Sequence, residues 1–356
     1  MKKKLLTIVL PCLNEKATIK AAIEECKSNA SKYLGRNYEI IVADNGSTDG
    51  SLKILKKIKG IRLIKVPVKG YGAALHWGIM NSYGKYVLFA DADLSYPFSN
   101  IGEFKSKIAK GPDLVLGSRF KGHIEKGSMP FLHRYFGTPL LTLLIRMIYG
   151  IPTTDCNSGM RMVKKDFYSK LNMRNSGMEW ASELLLKTAN KKGKYLEVPI
   201  TFIKDKRQKS SHLSTWSDGW RHLKAIFLLK PQTFAFFMAL CLISALLSYP
   251  FSFGFTGFFI LMFSVLFFSV LTLQFLAFAI EGMPNRISRI LNSNYFVPVI
   301  VSFFILSIVI VGLLPDSHLG SKILISGIDA VVIIWTFLIE TIKTHLVNRL
   351  PDKYFK

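Results

Sequence analysis

Two aspartates separated by one residue follow an apolar stretch of the chain. Asp91-Ala92-Asp93 comes directly after Tyr86–Ala90, a run typical of a buried strand. Carboxylates in this position suit Mg²⁺ or Mn²⁺, because Mg²⁺-type sites combine one or two carboxylates with substrate phosphate oxygens. The pattern indicates a metal-dependent diphosphate site, and an exposed turn is the alternative interpretation of so short a motif.

Polar or glycine-rich segments follow three other strand-like runs. They are Asn14-Glu15 after Leu5–Leu10, Asp44 after Glu39–Ala43, and Gly70-Tyr71-Gly72-Ala73 after Ile61–Val66. Helical patterns separate these runs, the first of them from Ala17 to Ser28. Strands that alternate with helices predict an α/β domain with a mainly parallel sheet and right-handed crossovers. Ligands bind at the carboxyl ends of such strands, so we expect these segments to share one site. For Asp44, capping of the next helix is the alternative.

Composition narrows the class of protein. The 356 residues carry 47 Lys plus Arg against 23 Asp plus Glu, a formal net charge of +24, and half of them are hydrophobic. So apolar a chain is not disordered, and its charge and mean hydropathy of +0.29 disfavour an ordinary soluble enzyme. We expect no nucleic-acid partner, because the basic residues adjoin apolar segments rather than forming a basic arm.

The apolar residues concentrate near the C-terminus, where four runs approach the length of a membrane-spanning helix. These runs are Thr233–Tyr249, Phe258–Ile280, Phe296–Leu314 and Ile323–Ile342. The apolar helical core of a soluble domain is the alternative. However, the 110 residues from Thr233 to Ile342 carry too few charges to form a polar outer surface as well. The positive-inside rule, applied to the charges between the runs, predicts a multi-pass integral membrane protein. Its N-terminal domain and both termini would lie in the cytoplasm.

The predicted domains follow these shifts in composition: a catalytic domain at 1–212, an interfacial amphipathic helix at 213–231, four transmembrane helices at 232–345 and a cytoplasmic tail at 346–356. Besides 213–231, a second candidate for the membrane interface is Phe131–Tyr149, which is apolar but contains His133, Arg134 and Arg146. Apolar residues beside cations favour a position in the headgroup layer of a bilayer, and core packing is the alternative.

Taken in order, several motifs resemble those of the family 2 inverting glycosyltransferases with a GT-A fold. They are Pro11-x-x-Asn14-Glu15, Asp44-Asn45-Gly46-Ser47-x-Asp49, Gly70-x-Gly72 and Asp91-x-Asp93. Gly117-Ser118-Arg119, Asp155-x-x-Ser158-Gly159-x-Arg161 and the C-terminal spans make the chain similar to the polyprenyl-phosphate glycosyltransferases, which include the dolichyl-phosphate glucose and mannose synthases. The resemblance implies a Rossmann-like GT-A domain followed by a four-helix transmembrane region.

The resemblance also implies roles for individual residues. The nucleotide-sugar site would consist of Pro11, Asn14, Glu15, Asp44, Gly72, Ala73, Asp91, Ala92 and Asp93, with Asp91 and Asp93 holding Mg²⁺ or Mn²⁺. The lipid phosphate would bind Arg119, Arg134, Thr138 and Arg207, and the catalytic positions would be Asp93, Arg119, Asp155 and Glu179. Ser95 stands where related mannose synthases have a metal-coordinating Gln, which leaves the third protein ligand of the ion open. Asn45 replaces the usual second Asp.

The implied activity is transfer of a hexose, with inversion, from a nucleotide sugar to a polyprenyl phosphate. Trp216–His222 and Gly177–Glu183 are more similar to the glucose branch, so a UDP-hexose donor is favoured over GDP-mannose. A processive polysaccharide synthase is one alternative, although its Gln-x-x-Arg-Trp motif is absent from the sequence. A non-catalytic, membrane-anchored nucleotide-binding protein is another. The oligomeric state stays open, and a homo-oligomer is compatible with the sequence.

Overall fold

The structure is a computed structural model that describes residues 4–207 together with His222, Ala225, Ile226 and Leu229. Seven strands form one sheet in the order β3-β2-β1-β4-β6-β5-β7. The strands are β1 (Lys4–Cys12), β2 (Tyr38–Asp44), β3 (Arg62–Lys65), β4 (Gly84–Phe89), β5 (Leu114–Ile124), β6 (Arg161–Lys164) and β7 (Tyr195–Phe202). Among these described strands, only β6 runs antiparallel to its neighbours. For these residues the predicted α/β fold with a mainly parallel sheet is confirmed.

Within residues 4–207, seven α-helices connect the strands: α1 (Ile19–Leu34), α2 (Ser51–Leu55), α3 (Tyr71–Met80), α4 (Ile101–Ile108), α5 (Thr138–Tyr149), α6 (Lys165–Tyr168) and α7 (Trp180–Asn190). Short 3-10 turns cover Phe98–Asn100 and Ser169–Leu171, and a π-helical turn, His133–Gly137, leads into α5. Helix α1 extends past the predicted end at Ser28, because its buried face continues through Ala30 and Leu34.

Two hydrophobic layers cover the sheet, one on each face. In β1 the side chains of Leu6, Ile8 and Leu10 join a cluster that includes α1. Val9 points to the opposite cluster, which contains Trp180 of α7. This alternation follows from the pleat of a strand, and it explains why β1 reads as a continuous apolar run when both faces are buried.

Across the part of the chain that the structure describes, no helix has both the length and the apolar character required to cross a membrane. The predicted spans within 232–345, the tail at 346–356 and most of the segment 213–231 lie outside the described residues. Within that last segment, His222, Ala225 and Ile226 are buried against the domain. Ser182 and His222 share a hydrogen bond of 2.7 Å between Oγ and Nδ1.

Helix α3 lies close to the sheet, and Gly78 permits that approach. An added Cβ at Gly78 would collide with the Val9 side chain of β1. An added Cβ at Gly137, in contrast, would meet only the Leu132 carbonyl oxygen, at an ordinary 3.5 Å. The two glycines therefore differ in the space around them.

We expect Gly78→Ala to destabilise the protein although alanine is the better helix former. Overpacking against β1 costs about 1–3 kcal/mol, which exceeds the gain of about 1 kcal/mol in helix propensity. Thermal unfolding of the purified protein measures the difference, with Gly137→Ala as the matched control that leaves stability unchanged or raises it. Equal stability of the two variants would contradict the close packing of α3 on β1.

Candidate active site

The candidate site lies at the carboxyl ends of β1 and β4. Strand β1 pairs with β2 on one side and with β4 on the other, so the strand order reverses between β1 and β4. A crevice forms at such a switch point, and it is where ligands bind in open α/β sheets. Glu15 follows β1, and Asp91 and Asp93 follow β4. The structure therefore brings together acids that are far apart in sequence.

Asp93 is buried, and its two carboxylate oxygens have different partners. Oδ1 accepts hydrogen bonds from the Ser95 backbone N–H at 3.0 Å and from the Ser95 hydroxyl at 2.6 Å. Oδ2 accepts a hydrogen bond from the Arg207 guanidinium. Ser95 thus orients Asp93 by donating two hydrogen bonds to one of its carboxylate oxygens.

Asp91 lies in a confined position beside Asp93. The Tyr71 hydroxyl forms a hydrogen bond with it, and an added Cβ on Gly159 would lie 2.8 Å from its Oδ2 atom. Burial and the charge of Asp93 raise the pKa of Asp91 to about 7, although Arg207 and Tyr71 favour the ionised form. Burial and the neighbouring negative charge both disfavour the ionised form of Asp91, and a bound cation would favour it.

Arg207 connects Asp93 with Glu15. Its guanidinium forms an ion pair with each carboxylate, and the distance from Nη1 to Oε1 of Glu15 is 3.2 Å. Backbone hydrogen bonds fix the segment before it, from Ile203 N–H to the Ser95 carbonyl and from Lys206 N–H to the Asp93 carbonyl. Burial raises the pKa of Glu15, and Arg207 acts in the opposite direction. The predicted contact of Arg207 with a lipid phosphate stays a prediction.

The carboxylates fit a divalent metal ion that also binds a substrate. Within the residues that the structure describes, no group of three or more His, Cys, Asp or Glu side chains forms a ready-made metal site. Mg²⁺ is commonly bound through one or two carboxylates and completes its octahedron with water and substrate phosphates. Asp91 and Asp93 supply such a pair, and their mutual repulsion is what a cation would relieve.

The loops after β1 and β2 are tied to each other. Asn14, in a left-handed conformation at φ 58°, accepts a 2.8 Å hydrogen bond from the Thr48 N–H, and Ser47 Oγ accepts one of 3.0 Å from the Asn14 N–H. Asp44 accepts hydrogen bonds from Gly46 and Ser47 within its own turn, so it does not cap α2. Contacts of Asp44, Asn14 and the half-buried Pro11 with a nucleotide remain predictions, as does that of the buried Ala92.

Asn45 fastens the loop that precedes α3. Its side-chain amide donates to the Val68 carbonyl at 2.8 Å, and its carbonyl oxygen accepts from the Gly70 N–H at 2.7 Å. An aspartate could accept from Gly70 but, when ionised, could not donate to Val68. The replacement of the usual Asp by Asn therefore has a local structural reason.

The glycines of Gly70-x-Gly72 allow close packing on the loop before α7. An added Cβ on Gly72 would lie 2.8 Å from the Gly177 carbonyl oxygen, and the Ala73 N–H donates to the Ser176 carbonyl at 3.0 Å. One backbone donor at the start of α3 is thus satisfied within the protein. The contacts of Gly72 and Ala73 with the nucleotide stay predictions.

Arg119 and Asp155 form a buried, two-pronged ion pair. Arg119 Nε and Nη2 each lie 2.7 Å from an oxygen of Asp155, and the Arg119 N–H donates to the same carboxylate at 3.0 Å. Burial opposes the positive charge, but Asp155 holds the pKa of Arg119 above its ordinary value. Asp155 is completely buried. In this structure the Asp155 carboxylate is the counter-ion of Arg119. The catalytic roles of both residues stay predictions.

Tyr96 links this ion pair to the carboxylates. Its ring packs on Phe202 with centroids 4.9 Å apart, and the Arg119 guanidinium lies 5.2 Å from the centre of the same Phe202 ring. The Tyr96 hydroxyl accepts from the Gly159 N–H at 2.8 Å, and Gly159 adjoins Asp91. Arg119 and Asp91 are therefore connected through Phe202, Tyr96 and Gly159.

The remaining predicted residues lie in different surroundings. Arg134 stacks on Tyr135 at 5.6 Å in the turn before α5, whereas buried Thr138 accepts a hydrogen bond of 3.5 Å from Asn157, next to Cys156 and Asp155. Glu179 is buried at the start of α7, where its carboxylate folds over Gly177. The site roles of Arg134, Thr138 and Glu179 stay predictions.

Sequence reasoning missed Tyr71 and Tyr96 as parts of the site. Both are close to recognised motifs, since Tyr71 lies between the two glycines and Tyr96 follows Asp93 by three residues. The sequence pattern around each tyrosine does not distinguish a site residue from an aromatic residue of the core. Only the contacts with Asp91 and Gly159 reveal their place.

Comparison with known proteins identifies the domain. Residues 7–171 match the family model described as glycosyl transferase family 2. These residues form a family 2 glycosyltransferase domain. The match covers both carboxylates of the Asp-x-Asp motif and the Arg119–Asp155 pair, whereas Arg207 lies beyond its end.

Two relatives from Haloferax volcanii are similar to the family 2 domain and its surroundings. The low-salt glycan biosynthesis hexosyltransferase Agl6 is 34% identical over 227 residues, which cover 64% of this chain and 54% of that protein. A dolichyl-phosphate hexose transferase is 28% identical over 200 residues, covering 55% of this chain and 82% of the relative. The match thus spans about half the length of the first relative.

A solved structure supports the fold of the family 2 domain. A mycobacterial protein has a TM-score of 0.50 at 19% identity, over 64% of this chain and 74% of that one. At this identity the likeness concerns the fold alone.

We expect Ser95→Ala to weaken Mn²⁺ binding by the family 2 domain by about tenfold or more, because loss of an outer hydrogen-bonding partner of a metal ligand typically has this effect. Ser95→Thr keeps the hydroxyl and restores the affinity. Electron paramagnetic resonance of free Mn²⁺ measures binding without any turnover. Unchanged affinity in Ser95→Ala would show that the backbone N–H alone suffices to orient Asp93.

We expect Asp155→Asn to lower the free energy of unfolding by about 3–5 kcal/mol, because it leaves the Arg119 charge buried without its counter-ion. Thermal unfolding measures the effect. Glu24→Gln is the matched control: it removes an exposed pair with Lys20 that contributes about 0.3–0.5 kcal/mol. Stability equal to wild type in Asp155→Asn would contradict the counter-ion role.

Proposed function

We propose that the chain transfers a hexose from a nucleoside diphosphate sugar to a polyprenyl phosphate, as an inverting hexosyltransferase. The observation that carries the proposal is the cluster of Glu15, Asp91, Asp93 and Arg207 at the switch point of a family 2 domain. The similarity to a dolichyl-phosphate hexose transferase supports the choice of a lipid phosphate as acceptor.

In the proposed reaction an oxygen of the lipid phosphate attacks the anomeric carbon of the hexose. A new carbon–oxygen bond forms on the face opposite the leaving group, and the bond to the nucleoside diphosphate breaks with its electron pair on the diphosphate. A phosphate monoester has its second pKa near ~6, so the attacking group is already largely ionised at neutral pH. The enzyme therefore needs no strong general base for this acceptor.

The site residues would stabilise charge on both sides of the reacting carbon. Asp91 and Asp93 would hold Mg²⁺ or Mn²⁺, which supplies positive charge to the leaving diphosphate. Arg207 lies beside the same carboxylates and would donate to phosphate oxygens once a substrate competes for it. Arg119, prepositioned by Asp155, would bind the acceptor phosphate, with Arg134 and Thr138 at the edge of that site.

The proposed reaction takes place at the cytoplasmic face of a membrane. The four apolar runs at 232–345 would anchor the chain in a membrane, with the catalytic domain and both termini in the cytoplasm. A polyprenyl phosphate keeps its tail in the bilayer, so an enzyme that uses it benefits from attachment to the same membrane. A UDP-hexose remains the favoured donor over GDP-mannose.

Incubation of the purified protein with polyprenyl phosphate, Mn²⁺ and hexose-labelled UDP-glucose or GDP-mannose tests the proposal. We expect label in a chloroform-soluble product that mild acid releases, from UDP-glucose more than from GDP-mannose. Label in a water-soluble polymer would indicate a polysaccharide synthase. Nucleotide binding without any transfer would indicate a non-catalytic protein.

In the same assay we expect Asp93→Asn to lower the rate by at least about 100-fold, because metal-ion charge stabilisation contributes several kcal/mol and about 1.4 kcal/mol corresponds to a factor of ten. The matched control is Asp166→Asn, which makes the same change at an exposed position in α6. A rate equal to that of the control would refute the metal-site assignment.

A further inference from the structure

Strand β5 leaves its regular pairing with β7 at the position of Arg119. The pairing is continuous up to Ser118 and resumes at His123. Residues 119–122 therefore form a bulge opposite Ile200. Bulges beside active sites change the direction of a side chain. Arg119 is the first residue of this bulge, so the bulge determines where its guanidinium lies.

The residues that follow Arg119 in the bulge are exposed. They are Phe120, Lys121 and Gly122, and an added Cβ on Gly122 would collide with the Ile200 carbonyl oxygen. Exposed segments with few buried apolar contacts open locally at little cost in free energy. The position of Arg119 therefore depends on the polar contacts that fix the bulge.

Glu197 of β7 is a buried carboxylate that contacts the bulge. Its side chain is 3% exposed, and Lys121 Nζ lies 2.6 Å from its Oε2 atom. The Tyr195 hydroxyl donates to Oε1 at 2.6 Å. Burial opposes the charge of Glu197, but hydrogen bonds from Lys121, Tyr195 and Thr154 lower its pKa below the ordinary value. Glu197 is therefore ionised at neutral pH, and its two oxygens act only as acceptors.

The same carboxylate holds the residue that precedes Asp155. The Thr154 N–H donates to Oε1 of Glu197 at 2.7 Å, and the Thr154 hydroxyl donates to Oε2 at 2.8 Å. These bonds fix both the backbone and the side chain of Thr154. Because Asp155 is the next residue, Glu197 also limits where the Asp155 carboxylate lies.

A hydrogen bond between two hydroxyl groups joins the bulge to this loop. Ser118 Oγ and Thr154 Oγ1 are 2.7 Å apart. The Thr154 hydroxyl donates its one hydrogen to Glu197, so it accepts from Ser118. Ser118 precedes Arg119 as Thr154 precedes Asp155. The residues before the two members of the ion pair are therefore linked to each other and, through Thr154, to Glu197.

We propose that Glu197 is a positioning residue for the Arg119–Asp155 pair. It holds Lys121 in the bulge and Thr154 in the facing loop, and through both it sets the direction of the guanidinium. The inference rests on the proposed function in one respect, namely that the ligand of Arg119 is the acceptor phosphate.

The direction of the Arg119 guanidinium matters because Asp155 already uses part of it. Asp155 accepts from Nε and from one N–H of Nη2. A phosphate would therefore bind through Nη1 and the second N–H of Nη2, as a pair of parallel hydrogen bonds. Paired bonds of this kind depend on orientation, so a small rotation of the guanidinium weakens both.

Glu197→Gln in the full chain tests the proposal. Glutamine keeps the shape of the side chain but replaces one acceptor oxygen by an NH₂ group. Whichever way the amide turns, this group faces a donor, either the Thr154 N–H or the Lys121 ammonium. The substitution therefore disturbs the contacts that we assign to positioning and leaves Arg119 and Asp155 in the chain.

Glu39→Gln is the matched control. The Glu39 side chain is 11% exposed, accepts from the Thr7 hydroxyl at 2.6 Å and pairs with Arg62 at 2.8 Å. Glu39 lies near the amino end of β2, whereas the candidate site lies at the carboxyl ends of the strands. A general loss of stability would affect both variants, and only a positional effect on Arg119 would separate them.

In the transfer assay we expect Glu197→Gln to raise the KM for polyprenyl phosphate about tenfold or more and to leave the KM for the nucleotide sugar nearly unchanged. The reason is that displacement of a binding group by about 1 Å can cost about 100-fold. Glu39→Gln should leave both KM values near those of wild type. An unchanged acceptor KM in Glu197→Gln, or equal increases in both KM values, would overturn the proposal. So would an equal increase of the acceptor KM in the two variants.

Amide hydrogen exchange of residues 117–123 tests the same role without substrate. In the wild-type protein the Arg119 N–H donates to Asp155 and the Lys121 N–H donates to Ser118. We expect these amides to exchange faster in Glu197→Gln but not in the control, and unchanged exchange would overturn the proposal. Absence of transfer by the wild-type protein would refute the proposed function, and the exchange result would still decide the role of Glu197.

Thr154→Val replaces Glu197→Gln if that variant folds poorly. It removes the hydroxyl between Ser118 and Glu197 without changing any charge, and Thr154→Ser restores the hydroxyl. We expect a raised acceptor KM in Thr154→Val and a value close to wild type in Thr154→Ser. An equal defect in the two variants would assign the effect to packing of the threonine methyl group and would overturn the proposal.

Discussion

The electrostatics of the site depend on a buried carboxylate whose two oxygens have separate partners. Ser95 occupies Oδ1 of Asp93, and Arg207 contacts Oδ2. Asp91 and Glu15 add negative charge nearby, and burial raises the pKa of both residues. A cluster of this kind is stable only if cations compensate it. Arg207 provides part of that compensation, and the proposed metal ion would provide the rest when a nucleotide sugar binds.

A second buried pair connects the carboxylate cluster to helix α5. Arg119 and Asp155 satisfy each other, and the segment that begins at Asp155 reaches both Asp91, through Gly159, and α5, through Asn157. Arg161 supports that segment by donating to the carbonyls of Ser158 and Cys156. One short stretch of chain therefore connects the Asp91–Asp93 carboxylates, the Arg119–Asp155 pair and α5.

Much of the fold was predictable because local patterns determine it. The runs at β1, β2 and β4 are apolar on both faces, and each ends in polar residues of the later site. The reversed direction of β6 was not predictable, because a short apolar strand has the same pattern in either direction. The adjacency of β5 and β7 depends on contacts between residues about eighty positions apart, which periodicity does not encode.

The sequence by itself determined an α/β domain with acids at the ends of its strands, because burial and strand alternation leave a direct pattern in residue order. It also determined the motifs that resemble the family 2 glycosyltransferases. The partners of the polar and charged side chains followed only from the fold: Arg207 meets Glu15 and Asp93, Asp155 meets Arg119, and the neutral Asn45 amide holds the loop at Val68. The physical reason is that an ion pair or a side-chain hydrogen bond depends on distance in space, and folding brings together residues whose separation in the sequence carries no sign of it.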